Sequence, residues 1–263
     1  MEIARNDIDG GKAFDWGRTS AVYAKYRDIY PREMYEQLIK LGIGVKGQRI
    51  LDLGTGTGVI PRNMYRYGAE WTGVDISEKQ IAQARLLAKN KNMDIRFLIS
   101  PVEDIDMSQG GFDVITACQC FWYFDHNKLV PKLHDMLKDD GKLAVIQMGW
   151  LPDEDRIAGL SEKLVLEYSP EWTGAGWTRQ PVYISDEVLE YFDIEERVGF
   201  DIKLPFTRES WNGRMKSCRG IGASLSDSEI AAWEREHRAL LVLTAPEEFE
   251  ILHYVAIAVL KKK

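Results

Sequence analysis

Through the first 150 residues, short apolar runs alternate with stretches of helical period. The runs RILDL (49–53), AEWTGVDIS (69–77), DIRFLIS (94–100), FDVITACQCFW (112–122) and GKLAVIQMGW (141–150) read as strands. They are nearly continuous in apolar residues, as strands covered on both faces are. A helix runs from the loop after the first strand to about Gly68. A second, EKQIAQARLLAKNKN (78–92), is capped by Ser77, with Gln80 placed for a capping box. A third, NKLVPKLHDMLKDD (127–140), tolerates Pro131 and ends at Gly141. Ahead of them, residues 19–42 predict two helices: Ala21, Ala24 and Tyr26 share a face, Pro31 opens the second in its first turn, and Gly42 and Gly44 end it.

After Trp150 the alternation stops. Residues 153–169 predict a helix, 170–183 a loop rich in Pro, Gly and Trp, 185–192 a short helix and 193–206 a strand. Residues 210–243 are largely helical with a glycine-rich break, and 249–262 form a last apolar strand. Lys261, Lys262 and Lys263 read as a frayed, solvated tail. The pattern as a whole predicts an α/β fold, doubly wound, with a mostly parallel sheet and a helical cap. Residues 1–263 form one domain in this reading: an N-terminal helical lid (1–44), a ligand-binding core (45–150), a substrate cap with insertions (151–250), and the last strand and tail (251–263).

Composition narrows the class of protein. Of 263 residues, 45% are hydrophobic and 29% charged, an ordinary globular balance. The net charge of -7 disfavours nucleic acid as the main partner. Cys118, Cys120 and Cys218 are too few for a disulfide framework, and the first two, in an apolar run, read as buried free thiols. No metal-ligand spacing occurs, and no leader or membrane segment is visible, so a cytoplasmic protein with no membrane partner, monomeric or homodimeric, is expected.

The chemistry concentrates in ILDLGTGTGVIP (50–61). A glycine loop between a strand and a helix brings backbone N–H groups close to a ligand. Gly54, Gly56 and Gly58 lack the three-residue step of a dinucleotide-binding turn, and no Lys-Ser or Lys-Thr follows for a nucleotide phosphate loop. Asp52 beside the loop would repel a pyrophosphate and suits an ammonium group. Asp75, 21 residues after Gly54 at a strand end, suits a ribose diol. A ligand with a ribose and an amino acid end, and no phosphate, is S-adenosylmethionine.

With GVDIS, FDVITACQCFWYFD and LKDDGKLAVI following in order, the sequence resembles the class I S-adenosylmethionine-dependent methyltransferases over residues 45–150 and the final strand. The resemblance implies a Rossmann-like sheet of seven strands whose C-terminal strand is antiparallel. It implies that Gly54, Thr55, Gly56 and Gly58 pass under the methionine moiety, that Asp52 meets the amino group, and that Asp75 holds the ribose while Ile76 packs on the adenine. Val102 and Glu103 would line the adenine slot, although Pro101 replaces the usual Asp there. Cys118 and Gln119 would lie beside the sulfonium. YAKYRDIYP (23–31) resembles a lid of the trans-aconitate methyltransferase-like subgroup, which would bring Tyr26 and Arg27 to the cofactor. Where that subgroup often has His-Trp-Phe-Asp, Trp122 and Tyr123 take the places of His and Trp, so no inherited catalytic His is available.

The implied activity is methyl transfer to a small-molecule acceptor by in-line displacement, leaving S-adenosylhomocysteine. Tyr23 and Trp122 are candidates for cation–π contact with the sulfonium. His253, ahead of His126, is the candidate base. Trp211, Arg214 and Arg219, in the glycine-bearing segment SWNGRMKSCRG (210–220), are candidate substrate contacts, the arginines suiting a carboxylate. Two other functions remain open from the residues: a non-catalytic S-adenosylmethionine-binding protein, and a nicotinamide-dependent oxidoreductase, which the glycine spacing disfavours.

Overall fold

The computed structural model describes residues 3–105, 107 and 110–263. Met1, Glu2, Asp106, Ser108 and Gln109, within the expected lid and core segments, lie outside the described residues. A seven-stranded sheet has the order β3-β2-β1-β4-β5-β7-β6. Its strands are β1 (Arg49–Leu53), β2 (Glu70–Asp75), β3 (Arg96–Ile99), β4 (Phe112–Cys118), β5 (Leu137–Trp150), β6 (Phe192–Thr207) and β7 (Glu248–Lys262). The neighbours β1–β2, β1–β4, β2–β3 and β4–β5 are all parallel, and the C-terminal strand is antiparallel, as the Rossmann-like expectation had it.

By contact density the chain forms two compact units. One comprises residues 31–148, 180–200 and 255–263, and the other the described residues of 1–30 with 149–179 and 201–254. In the first, β1 buries Ile50, Leu51 and Leu53 completely. The helices α2 (Arg32–Lys40), α3 (Val59–Met64), α4 (Glu78–Lys89), α5 (His126–Met136) and α7 (Asp186–Leu189) belong to it. Ser77 caps α4 by accepting from the Gln80 backbone N–H, and Ile81, Ala84 and Ala88 of that helix pack on Phe97. Pro31 is the cap residue before α2, with extended backbone, one position earlier than expected.

Two boundaries correct the sequence reading. Gly141 does not end α5; the helix stops at Met136 and the backbone is already extended at Leu137, which pairs with Phe112. The register shifts between Phe112 and Val114, and a Cβ on Gly141 would meet the Lys138 carbonyl oxygen at 2.9 Å, so the glycine serves a close approach within an irregular strand. The lysine tail is ordered too: β7 runs to Lys262, and the Lys263 N–H donates to the Tyr191 carbonyl.

The second unit is built on α1 (Ser20–Tyr26), α6 (Arg156–Tyr168), α8 (Arg208–Lys216) and α9 (Asp227–Thr244). A Cβ on Gly213 would lie 2.3 Å from the Tyr26 ring, so the missing side chain is what lets α1 settle on α8. Ser161 of α6 accepts a hydrogen bond from Trp211 Nε1 at 2.9 Å and lies 3.0 Å from His237 Nε2. His237 Nδ1 in turn lies 2.9 Å from Asn212 Oδ1. Burial pushes the His237 pKa down to about 3, so this link between α6, α8 and α9 is uncharged.

Candidate functional site

The carboxyl ends of β1, β2 and β4 form the candidate cofactor site. Parallel register places Asp52 opposite Gly73 and Thr116, and Leu53 opposite Val74 and Ala117. The three loop glycines all have left-handed backbone, at φ 55°, 55° and 72° for Gly54, Gly56 and Gly58. A Cβ on Gly54 would meet Cys120 Cβ and Sγ at 2.8 Å, and one on Gly58 would meet the Phe97 ring at 2.9 Å. The turn therefore lies flat against its neighbours, with its N–H groups at the strand ends. Gly54→Ala combines that clash with a left-handed Cβ, and is expected to destabilise the fold by about 2 kcal/mol. A Tm within a degree of wild type would show that the turn relaxes freely.

The two carboxylates differ in their surroundings. Asp75 Oδ2 accepts from the Gly56 N–H at 2.9 Å and Oδ1 from the Ser77 N–H at 2.8 Å. Each oxygen keeps a lone pair for a further donor. Asp52 is 2% exposed and accepts from Thr116 Oγ1 at 2.6 Å. Burial pushes its pKa up to about 6, against the opposing hydrogen bond from Thr116. Thr116 was not singled out from sequence, and Cys120 was read only as a buried free thiol. Thr116 sits two residues before Cys118 in β4, which pairs with β1. Cys120 donates to the Leu53 carbonyl at 3.1 Å, and burial first, then Asp52, holds its thiol well above the usual range.

The other expected contacts fall nearby. The Thr55 N–H donates to Val74, and Ile76 follows β2 directly, half-buried. Val102 is buried in a short turn after β3, while Glu103 beside it accepts from the Asp125 N–H at 3.0 Å, at the start of α5. Cys118 ends β4. Gln119 adopts a left-handed φ of 61°, with its side-chain amide donating to the Met148 carbonyl. A non-glycine residue held there stores strain of the kind that gathers at functional sites. Trp122 is 38% exposed on the turn Phe121–Tyr123, its ring 5.4 Å from that of Tyr123. Both ring nitrogens of His126 are engaged, with Ser185 Oγ at 2.9 Å and the Phe121 carbonyl at 3.0 Å.

The remaining candidates, Tyr23, Tyr26, Arg27, Trp211, Arg214, Arg219 and His253, all belong to the second unit. The Tyr26 hydroxyl donates to Glu209 at 2.8 Å. The Arg27 guanidinium stacks on the Tyr23 ring, 4.7 Å from its centre. Trp211 is fully buried, edge-on to Trp150 at 5.6 Å. Two expectations need correction. Arg219 is committed within the chain: its Nε and Nη2 donate to the two oxygens of Asp9 at 2.6 and 2.8 Å, and Nη2 also reaches Thr173. A fork filled by an internal carboxylate is not open to a substrate. His253 is not a general base either. It is fully buried, its Nδ1 donates to the Ile251 carbonyl at 2.9 Å, and burial lowers its pKa to about 4. Such an imidazole is a neutral hydrogen-bond acceptor at Nε2, too weak to retain a proton at neutral pH.

No group of His, Cys, Asp and Glu among the described residues could hold a metal ion, and no described helix is long and apolar enough to cross a membrane.

Comparison with known proteins supports the cofactor chemistry. Residues 50–141 match the family model described as a methyltransferase domain. A ubiquinone biosynthesis O-methyltransferase of Bordetella avium is 27% identical over 175 residues, 66% of this chain and 72% of that protein. Among solved structures, the MccD protein superposes with a TM-score of 0.56 at 15% identity, covering 88% of this chain and 97% of its own. The YcgJ protein of Bacillus subtilis does so with a TM-score of 0.54 at 19% identity, covering 89% and 100%. These two show a shared fold. The chain is an S-adenosylmethionine-dependent methyltransferase. Residues 50–141 carry its class I methyltransferase domain, and S-adenosylmethionine is its cofactor.

Proposed function

We propose that the acceptor is a small molecule bearing a carboxylate, methylated in the cytoplasm by a monomeric or homodimeric enzyme related to the trans-aconitate-like subgroup. The observation that carries the donor half is the pair of carboxylates, buried Asp52 and half-buried Asp75, flanking three left-handed glycines. Asp75 holds the ribose hydroxyls on its remaining lone pairs, and the turn from Gly54 to Gly58 lets the methionine moiety approach the backbone. Asp52 meets the amino group. Ile76 and Val102 flank the adenine, with Glu103 at the rim of that slot, and Cys118 and Gln119 lie beside the sulfonium. When bound, the cofactor supplies an electrophilic methyl group. Tyr26 and Arg27 close over it, and Tyr23 and Trp122 present aromatic faces to cationic character. Support for the acceptor half comes from the buried guanidinium of Arg214, which lacks an internal carboxylate partner, with Trp211 as an apolar wall. The Bordetella avium relative is named for O-methylation, and oxygen is the acceptor atom proposed here.

Calorimetric titration with S-adenosylmethionine, S-adenosylhomocysteine and NADH tests the donor half. Micromolar binding of the first two and none of the third is expected; binding of NADH alone would overturn it. The pKa of Asp52 adds a pH dependence. Its contact with the ammonium group needs the ionised form, so affinity for S-adenosylmethionine is expected to fall as pH drops through about 6. An affinity flat between pH 5 and 8 would remove Asp52 from the amino-group contact. Incubation with carboxylate-bearing, amine and phenol acceptors, followed by detection of the methylated product, tests the acceptor half.

A further inference from the structure

Arg214 is 4% exposed. Its Nη1 lies 3.2 Å from Cys218 Sγ, its plane stacks on Trp150 at 4.9 Å, and its Nε has no hydrogen-bond partner. Neither Arg214 nor Arg27 has a carboxylate partner among the described residues. A guanidinium taken out of water is ordinarily paired with an anion. Here burial first, and the charge of Arg27 second, lower the Arg214 pKa to about 10, while the Cys218 thiol and the Tyr23 and Tyr30 phenols act the other way, so the two cations lie near one another among weak acids only.

A second unsatisfied atom belongs to the same aromatic cluster. His253 stacks on Phe206 at 6.1 Å and meets Trp211 edge-on at 6.4 Å, while Trp211 itself lies edge-on to the Trp150 ring that carries Arg214. Trp211 and Arg214 are three residues apart on α8, hence on one face of the helix. His253 Nδ1 faces a carbonyl and must carry the hydrogen, so the buried, unpartnered Nε2 presents a bare lone pair. The cluster thus offers an unmet cationic donor and an unmet acceptor set among apolar rings. Buried polar atoms without partners are rare enough to demand an explanation.

We infer that this cluster is a recognition site for a hydroxycarboxylic acid, whose carboxylate pairs with Arg214, assisted by Arg27, and whose hydroxyl donates to His253 Nε2. The inference rests on the proposed small-molecule acceptor and adds the second functional group that the acceptor must carry. A diphosphate would need more donors than one open guanidinium edge, and an amine would meet two cations.

The test is calorimetry on the full chain with a panel of aromatic and aliphatic hydroxycarboxylates, each beside its carboxamide and its deoxy counterpart, with inorganic phosphate as a further arm. At least one hydroxycarboxylate is expected to bind at least tenfold more tightly than its amide and several-fold more tightly than its deoxy form. Arg214→Gln is expected to weaken that binding at least tenfold, and His253→Phe to erase the advantage of the hydroxyl. Absence of binding by the whole panel, equal affinity for acid and amide, or phosphate binding more tightly than every acid would overturn the inference. The acid–amide and acid–deoxy comparisons use the wild-type protein, so they stand if a variant fails to fold. S-adenosylmethionine is titrated into the same samples: its binding without any acid binding defeats the hydroxycarboxylate site alone, whereas loss of both defeats the functional reading beneath it.

Discussion

Asp75→Ala is expected to weaken S-adenosylmethionine binding at least tenfold, a loss of about 1.4 kcal/mol. Two effects add. The variant removes both acceptor oxygens proposed for the ribose hydroxyls, and hydrogen bonds to a charged acceptor are among the stronger ones. It also releases the Gly56 and Ser77 N–H groups, which the carboxylate holds at 2.9 and 2.8 Å. The glycine turn would then have to be ordered by the cofactor itself, at its expense in affinity. Asp75→Asn separates the two effects, because its one carbonyl oxygen can still hold one of those N–H groups. It should bind between wild type and Asp75→Ala. Burial raises the Asp75 pKa in the free protein, so its charge is not a source of fold stability, but loss of its two backbone hydrogen bonds should lower the melting temperature of the free Asp75→Ala protein. Unchanged affinity for the cofactor in Asp75→Ala, measured by calorimetry, would sink the ribose assignment.

What was legible in the sequence was whatever repeats locally. The strands β1, β2 and β4 announced themselves as apolar runs, and the glycine turn as three glycines at alternate positions, because both patterns are set by neighbours in the chain. The start of β5 was hidden because KDDG reads as the frayed end of a helix, whereas pairing of Leu137 with Phe112 makes it strand. The contact of Thr116 with Asp52 lay one step further off, recoverable only once β4 was placed beside β1 in register. The three residues at issue in the acceptor half were beyond reach for a different reason. Arg214 and Arg219 look alike in SWNGRMKSCRG. What separates them is an aspartate 210 residues away, which fills the fork of Arg219 and leaves that of Arg214 open. His253 likewise became an acceptor rather than a base through its burial and a carbonyl two residues back, neither of which is written in an isolated histidine.

Removing that distant aspartate is expected to have the largest effect on stability. Asp9 and Arg219 are both nearly inaccessible, with side chains 5% and 7% exposed, and they meet through two parallel hydrogen bonds. Thr173 completes the shell: its N–H and its hydroxyl both donate to Asp9 Oδ1, at 2.7 and 2.9 Å. Asp9→Ala leaves a buried guanidinium with no anion and should lower unfolding stability by about 3–5 kcal/mol, read from denaturant unfolding. The double variant Asp9→Ala with Arg219→Met removes both charges, and should recover a good part of that loss. The pair also sets a pH window. Burial acts to raise the Asp9 pKa, but the hydrogen bonds and charge of Arg219, together with Thr173, outweigh it and hold the carboxyl below its ordinary value. A lowered native pKa means stability that is fully present above the unfolded pKa of about 3.9 and lost as pH falls through the native value. Wild type should therefore shed this stabilisation only in strong acid, while Asp9→Asn, which has no proton to gain there, should show a shallower acid limb. Equal slopes for the two proteins below pH 4 would mean that Asp9 is not the group that titrates. Equal stability of Asp9→Ala and wild type at pH 7 would mean that the Arg219 guanidinium had found water, and would return Arg219 to the set of residues open to a substrate.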